Sequence, residues 1–508
     1  MAERKSLEPW LKDEVVFRDY QVDGVRFMIQ RQRPLQADEM GLGKSLQAIA
    51  TFATDVKMGW GNTMLVVAPV TLKANWANEL RKFTRIPYTI LGEEVRDGRR
   101  RKLDKNERDM QIVFFASGDG PRVLIANYEQ VVGHLEMLNA VGLHMVVFDE
   151  AHYLGNSESQ RTMACLALLA RRKIPMTGTP VTKNVQNLWA LLRMTWPGTP
   201  MFDTFMNRHA VYGGFKKREI VGLKRKDEIH EVLGRIMIRR LQEDVLDLQA
   251  PNIMQRWVEL TDLQRKLYDE VEKEMQLTID PNEPPEEYDN HLFKNLRLRQ
   301  LCGTTFEFNG EDHSNKLTAA IEDTIEIVGN GHRLVVFTQF RPMVGRYVAR
   351  LQQAAPDIPI WELHGDIDPS ERFDIVDRWE KSTKPGVIVC MVQVTAFGLN
   401  MTAGSHGMFL DKHVTPAVNR QAIARLNRIG QDVTRAVTII EYITQDTVEV
   451  RVEELCAIKD EAAHELVEEA VVDGKSKLDV EVKGAYELKP PVPRGQLTIP
   501  DIAHALPR

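Results

Sequence analysis

Short runs of apolar, largely β-branched residues recur along this chain, and stretches with helical spacing separate them. One set is TMLVVA (63–68), VLIA (123–126), HMVVF (144–148) and KIPMT (173–177). A second is RLVVFT (333–338), PIWEL (359–363), VIVCM (387–391), MFLD (408–411) and AVTIIEY (436–442). Strands alternating with helices make an α/β fold with doubly wound parallel sheets, and exclude a sandwich or a helical bundle. Two such sets in 508 residues predict two α/β lobes. Between them, Leu263, Leu267, Val271 and Met275 recur at helical spacing before the acidic, proline-bearing break DPNEPPEEYDN, which reads as an exposed loop inside a helical insertion. The expected divisions are a first lobe over 1–240, a helical insertion or linker over 241–325, a second lobe over 326–458, and an acidic helical segment with a flexible tail over 459–508.

Residues 34–54 carry the first chemical signal. Gly41-Leu42-Gly43 forms a turn between a short strand and a helix on which Leu46, Ile49, Ala50 and Ala53 share one face. Such a turn lets backbone N–H groups approach phosphate oxygens at a helix N-terminus, with Lys44 as a mobile positive charge and Ser45 as a hydroxyl ligand for Mg²⁺. The generic phosphate-loop pattern has a glycine where this chain has Asp38, so from the pattern alone a glycine turn before a surface lysine stays open. The run HMVVF leads directly into Asp149-Glu150-Ala151-His152. Two acids at the end of a buried strand stand where open α/β sheets bind ligands. Asp149 would hold the Mg²⁺ bridging two phosphates, and Glu150 would orient and deprotonate the attacking water. Their plainer alternative is capping of the following helix.

With these residues in place, the chain resembles the SWI/SNF type of superfamily-two helicase-like ATPases, a class of double-stranded DNA translocases with chromatin-remodelling, bacterial and phage members. Matching segments run in order from about residue 17 to residue 431. Phe17-Arg18-Asp19-Tyr20-Gln21 resembles the element in which a glutamine reads adenine, a role implied for Gln21. Asp38 through Ser45 is nearly the family's own phosphate loop, which accounts for the absent first glycine. Val67-Ala68-Pro69 through Trp76, and Ile125-Ala126-Asn127-Tyr128, resemble segments that touch a DNA strand. Thr177-Gly178-Thr179-Pro180, Leu188-Trp189, and Ile238-Arg239-Arg240 with Asp244-Val245-Leu246 continue the likeness. In the second half, Val336 to Phe340, His364-Gly365 with Glu371-Arg372, Thr395 to Asn400, and Gln421 to Gln431 complete it.

The resemblance implies two RecA-like lobes that use ATP and Mg²⁺. Gln21, Gly41, Leu42, Gly43, Lys44, Ser45, Asp149 and Gln421 would bind nucleotide, with Ser45 and Asp149 as metal ligands. Glu150, Lys44, Arg425 and Arg428 would be catalytic. Asn127, Tyr128, Gln339 and Thr395 would contact DNA. Arg425 and Arg428 lie three apart, a spacing that puts both guanidinium groups on one helix face for presentation to the γ-phosphate. Taken without its neighbours, the same spacing also describes a solvated salt-bridging face. The implied activity is ATP hydrolysis coupled to translocation on double-stranded DNA, remodelling protein–DNA complexes or branched DNA. Asp149 to His152 alone would equally fit a strand-separating DEAH helicase, and a non-hydrolysing ATP-sensing DNA-binding module is the third reading.

The formal charge is −6, from 66 Lys and Arg against 72 Asp and Glu, which argues against a uniformly basic protein but leaves room for a local groove. From Arg81 to Arg108 ten basic residues face five acidic ones, and from Asn207 to Arg240 ten face four, while Glu441 to Asp473 holds eleven acidic and two basic. The basic clusters suit a phosphate backbone and the acidic segment suits a solubilising helix or a competitor of DNA. Cys165, Cys302, Cys390 and Cys456 form no C-x-x-C pair, which points away from a zinc ribbon and towards a reducing compartment. With no apolar leader or spanning stretch, a soluble monomeric motor is expected, cytoplasmic in a bacterium or phage-infected cell and nuclear in a eukaryote.

Overall fold

The computed structural model describes residues 3–5, 9–96, 99–178, 185–213, 219–246, 249–277, 288–395, 399, 401–428, 436–467, 471–472 and 475–476. The chain divides into two compact units, Met1–Leu246 with the described residues from Ala462 on, and Asp247–Glu461.

The first unit is built on a seven-stranded sheet. Its elements are helix α1 (Asp19–Gln30), strand β1 (Leu35–Gln36), α2 (Lys44–Lys57), β2 (Thr63–Ala68), α3 (Lys73–Phe83), β3 (Tyr88–Ile90), β4 (Arg122–Asn127), α4 (Tyr128–Ala140), β5 (Met145–Asp149), β6 (Arg172–Met176) and β7 (Met237–Ile238). The spatial order is β7-β1-β6-β5-β2-β4-β3, and every pair is parallel. The expected strands fall within two residues of their expected bounds. They are apolar throughout because alternate residues feed different cores: Leu65, Val67, Val146 and Phe148 enter one cluster, Met64, Val66, Met145 and Val147 the other. Strand β3 lies at an edge and is only half-buried along its length, so it carries no comparable apolar run.

The second unit holds a six-stranded parallel sheet. Among its elements are β8 (Asn252–Val258), α5 (Asp262–Leu277), α6 (Tyr288–Gly303), α7 (Asn315–Gly329), β9 (Leu334–Thr338), α8 (Arg341–Ala354), β10 (Ile360–Leu363), β11 (Val387–Met391), α9 (Val392–Thr395), β12 (His406–Phe409), α10 (Pro416–Leu426), β13 (Thr438–Thr444) and α11 (Val448–Val467). The order is β8-β13-β12-β9-β11-β10. The stretch 241–325, expected as a helical insertion, does contain helices, but it also supplies β8, which pairs with β13 along its full length. That strand is legible only in three dimensions: it forms a sheet edge with Ile253, Met254 and Trp257 exposed, so its sequence lacks a buried strand's pattern. Of the acidic break, 280–287 lies outside the described residues.

The acidic segment proves partly internal. Glu441 and Glu453 both accept from Lys412, at 2.9 and 2.7 Å, and Glu449 accepts from the almost fully buried Lys316 at 2.6 Å. These acids neutralise lysines that burial would otherwise leave uncompensated. Of the acidic segment and flexible tail expected over 459–508, residues 477–508 lie outside the described residues. All four cysteines are buried free thiols, and among the described residues no helix is long and apolar enough to cross a membrane.

Candidate nucleotide-binding site

The loop from β1 to α2 is shaped by glycines at two positions with left-handed backbone, Gly41 (φ 82°) and Gly43 (φ 77°). At Gly43 a side chain is excluded twice, because a Cβ would also stand 2.6 Å from Gln21 Nε2. Gly43 caps α2, so Lys44 and Ser45 open the helix, where free N–H groups and the helix dipole favour an anion. Lys44 Nζ donates to the carbonyls of Asp38 at 2.9 Å and Glu39 at 3.2 Å. Burial pushes the Lys44 ammonium below its ordinary value, against the pull of the Glu150, Asp38 and Asp149 carboxylates.

Asp38 does not face the phosphate position. It is fully buried, and its carboxylate accepts from Arg240 Nε at 2.9 Å and Nη2 at 2.5 Å, from Gln36 at 3.1 Å and from Gln47 at 3.1 Å. A glycine in its place would strand Arg240 in the interior, which explains the departure from the generic pattern. Gln21 is buried on α1; its Oε1 accepts from Arg18 N at 3.0 Å and its Nε2 donates to Leu42 O at 3.3 Å, with Tyr20 Oη donating to the same carbonyl at 3.2 Å.

Asp149 ends β5, and three groups hold it. Trp76 Nε1, fully buried on α3, donates to Oδ2 at 2.8 Å, Glu150 N donates to Oδ1 at 3.0 Å, and Tyr128 Oη donates to the Asp149 carbonyl at 2.7 Å. Glu150 has a left-handed backbone (φ 50°, ψ 48°), which for a residue with a side chain costs on the order of 1 kcal/mol and turns its carboxylate out of the strand line. Its Oε2 lies 3.2 Å from His152 Nδ1, which is also 3.2 Å from Thr177 Oγ1. A Cβ on Gly178 would stand 2.9 Å from Met40 Cγ and 3.6 Å from Lys44 Nζ, so the Thr177-Gly178 turn lies against the phosphate loop. Thr179 and Pro180 are outside the described residues.

Burial, and then the neighbouring Glu150, push the Asp149 carboxyl from 3.8 up to about 6. The folded chain therefore binds this proton more tightly than the unfolded one. Ionising Asp149 lowers stability as pH rises from about 4 to about 6, and the whole cost is present above that window. Asp149→Asn, which keeps an acceptor for Trp76 but loses the one for Glu150 N, is expected to stabilise the nucleotide-free protein by about 1–2 kcal/mol at pH 7, the ~3 kcal/mol of the shift less that bond, and to leave it unchanged or slightly less stable near pH 4. Thermal melts at the two pH values check this; equal gains at both would reject the burial account.

The remaining expected residues fall as follows. Asn127 caps α4, its Oδ1 accepting from Gln130 N at 2.8 Å. Tyr128, expected to touch DNA, is instead 1% exposed and spends its hydroxyl on Asp149, so its ring belongs to the core. In the second unit, Gln339 donates from Nε2 to Lys412 O and from its backbone N to Asp411 Oδ1, both at 2.9 Å, tying the end of β9 to the chain after β12. Thr395 ends α9, and nothing is described of its side chain. Gln421 and Arg425 are buried on α10. Arg428 does not share that helix: α10 stops at Leu426, where Asn427 takes φ −89°, ψ 90° and its side-chain amide donates to Gln249 O at 3.4 Å. Ile429 to Gln431 lie outside the described residues.

The basic clusters are also less free than their count suggests. Arg101 pairs with Glu94 and Glu107, Arg208 and Arg225 with Glu228, and Arg235 with Glu231. Arg240 is interior. Sequence reasoning also missed Trp76 as a partner of Asp149, and Gln36 and Gln47 as struts. The signal for Gln47 was a polar residue on a helix that is buried from Leu46 to Asp55.

Residues 20–307 match the SNF2-related domain, and 316–430 match the helicase conserved C-terminal domain. The TATA-binding protein-associated factor MOT1 of Saccharomyces cerevisiae is 25% identical over 515 aligned positions, covering 86% of this chain and 27% of its own. Chromodomain-helicase-DNA-binding protein 9 of Mus musculus is 26% identical over 506 positions, covering 93% and 17% respectively. The chain thus spans about a quarter or less of these relatives. Among solved structures, the Sulfolobus solfataricus SWI2/SNF2 ATPase core in complex with dsDNA is similar at 24% identity, covering 93% of this chain and 96% of that one, with a TM-score of 0.41. Because the SNF2-related match takes in more than half of the sequence and the phosphate loop, Asp149 and Glu150 all lie within it, the chain belongs to the SNF2-related family of helicase-like proteins.

Proposed function

We propose that this protein is a DNA-dependent ATPase that couples ATP hydrolysis to translocation on double-stranded DNA and so remodels protein–DNA complexes or branched DNA. The observation that carries the reading is the gathering of Lys44, Asp149 and Glu150 at one end of the first sheet, where both carboxylates act on the Lys44 ammonium. A triphosphate fits the loop: Gly41 and Gly43 hold the left-handed turn that leads into the N-terminus of α2, and Lys44 is already held over the loop's own carbonyls. Ser45 Oγ and the Asp149 carboxylate are hard oxygen donors that suit Mg²⁺. That ion, when bound, neutralises charge between the β- and γ-phosphates.

The chain's own residues divide the remaining work. Gln21 reads the adenine edge beside the loop. Trp76 and the backbone N of Glu150 hold the Asp149 carboxylate in one orientation. Glu150, paired with His152, accepts the proton of the attacking water. Arg425 and Arg428 supply positive charge to the transferred phosphoryl group, with Gln421 beside them in sequence.

The similarity to a protein named for chromodomain-helicase DNA binding favours DNA over RNA as the track. The test is phosphate release with single-stranded, duplex, forked and RNA effectors, run beside triplex displacement and forked-duplex unwinding. Stimulation by duplex DNA with third-strand displacement and no strand separation is expected. Unwinding of the fork would instead favour a helicase, and no hydrolysis with any effector would favour an ATP-sensing module.

A further inference from the structure

We propose that Arg240 is a positioning residue of the nucleotide site, one that joins the adenine-reading helix α1 to the phosphate loop and so couples recognition of base and triphosphate. The inference rests on the reading that Gly41 to Ser45 bind ATP.

The geometry is a hub. Arg240 follows β7, about 200 residues after the loop in sequence. It is 5% exposed, yet every face of its guanidinium group is engaged. Nε and Nη2 grip both oxygens of Asp38, Nη2 also donates to Gln47 Oε1 at 3.0 Å, and Nη1 donates to the Tyr20 carbonyl of α1. The group lies over the Tyr20 ring, 5.2 Å from its centroid. Gln47 passes the constraint on, because its Nε2 bonds both Asp38 Oδ2 and Leu42 O, the carbonyl that Tyr20 and Gln21 also use.

Neighbouring contacts hold the same segment in place. Glu39 N donates to Arg240 O at 2.9 Å, Gln242 Nε2 donates to Met40 O at 2.5 Å, and Arg239 donates to Ala37 O at 2.9 Å and Gly178 O at 3.2 Å. The di-arginine thus contacts α1, the phosphate loop and the Thr177-Gly178 turn. Only a planar fork with several donors can span Asp38, Gln47 and the Tyr20 carbonyl together; a lysine ammonium keeps the charge but reaches fewer of them. Without the bond to Tyr20, α1 keeps, among the described residues, only the Tyr20 and Gln21 bonds to Leu42 O, at 3.2 and 3.3 Å, as its tie to the loop, and Gln21 is held less firmly relative to the phosphates.

The test is equilibrium binding of fluorescent ATP, with GTP as competitor, to wild type, Lys44→Ala and Arg240→Lys, each with a melting curve. Arg240→Lys is expected to bind ATP about tenfold more weakly, to lose several-fold of its preference for ATP over GTP, and to remain folded at the assay temperature. A folded Arg240→Lys chain with wild-type affinity and preference overturns the proposal. Should that variant melt too low, the same titrations are run below its melting temperature, where the chain is folded, and unchanged affinity and preference there overturn the proposal equally. Failure of the wild type itself to bind ATP, or equal binding by Lys44→Ala, is a separate result: it removes the nucleotide site and the inference with it.

Discussion

Glu150→Gln is expected to reduce DNA-stimulated ATP hydrolysis by about 10²–10⁴-fold while leaving ATP affinity within a few-fold of wild type. The amide is nearly the same size and can still meet His152, so the left-handed turn at Glu150 and the Asp149 carboxylate it frames should persist. Only the capacity to take a proton from water is lost. Single-turnover phosphate release beside equilibrium ATP binding separates the two quantities. Retention of wild-type turnover would assign the base elsewhere, and a parallel collapse of affinity would mean that Glu150 is part of the binding surface rather than the base.

Lys44→Ala has the next largest expected effect, in the opposite column: ATP affinity falls by about 10²–10³-fold and turnover falls with it. The lysine is the mobile cation of the loop, and in a partly dehydrated site a charge placed on phosphate is worth more than one in water. The same dehydration already lowers its tendency to carry a proton, so removing it relieves a burial cost. The melting temperature of the nucleotide-free variant should therefore not fall. Nucleotide titrations and melts on one preparation check both halves, and a destabilised variant would show that its bonds to the Asp38 and Glu39 carbonyls brace the loop.

The readable parts of this protein were those written locally. Strand β5 is apolar at every buried position and ends in Asp149-Glu150, and burial on both faces allows no other pattern there. Gly41 and Gly43 were legible because their backbone sign admits few alternatives. Strand β8 was not, because an exposed edge strand is defined by its partner β13, which lies about 180 residues away in sequence. The R-x-x-R spacing predicts one helix face, but the backbone leaves the helix at Asn427 (φ −89°, ψ 90°), between the two arginines, and a three-residue spacing carries no signal of where a helix stops.

Sequence alone determined the two parallel α/β sheets, the glycine loop before α2 and the pair of acids ending β5, since periodicity and backbone sign are properties of neighbouring residues. Tertiary structure decided which polar residues serve the site. Tyr128 left the list of exposed contacts for the core, Trp76 joined Asp149, and Arg240, counted at first among surface charges, became the buried partner of Asp38. An ionic or hydrogen-bonded pair carries no periodic signature in either partner. What selects it is the cost of leaving a buried charge or donor unmatched, and that cost exists only once the fold has brought distant segments together.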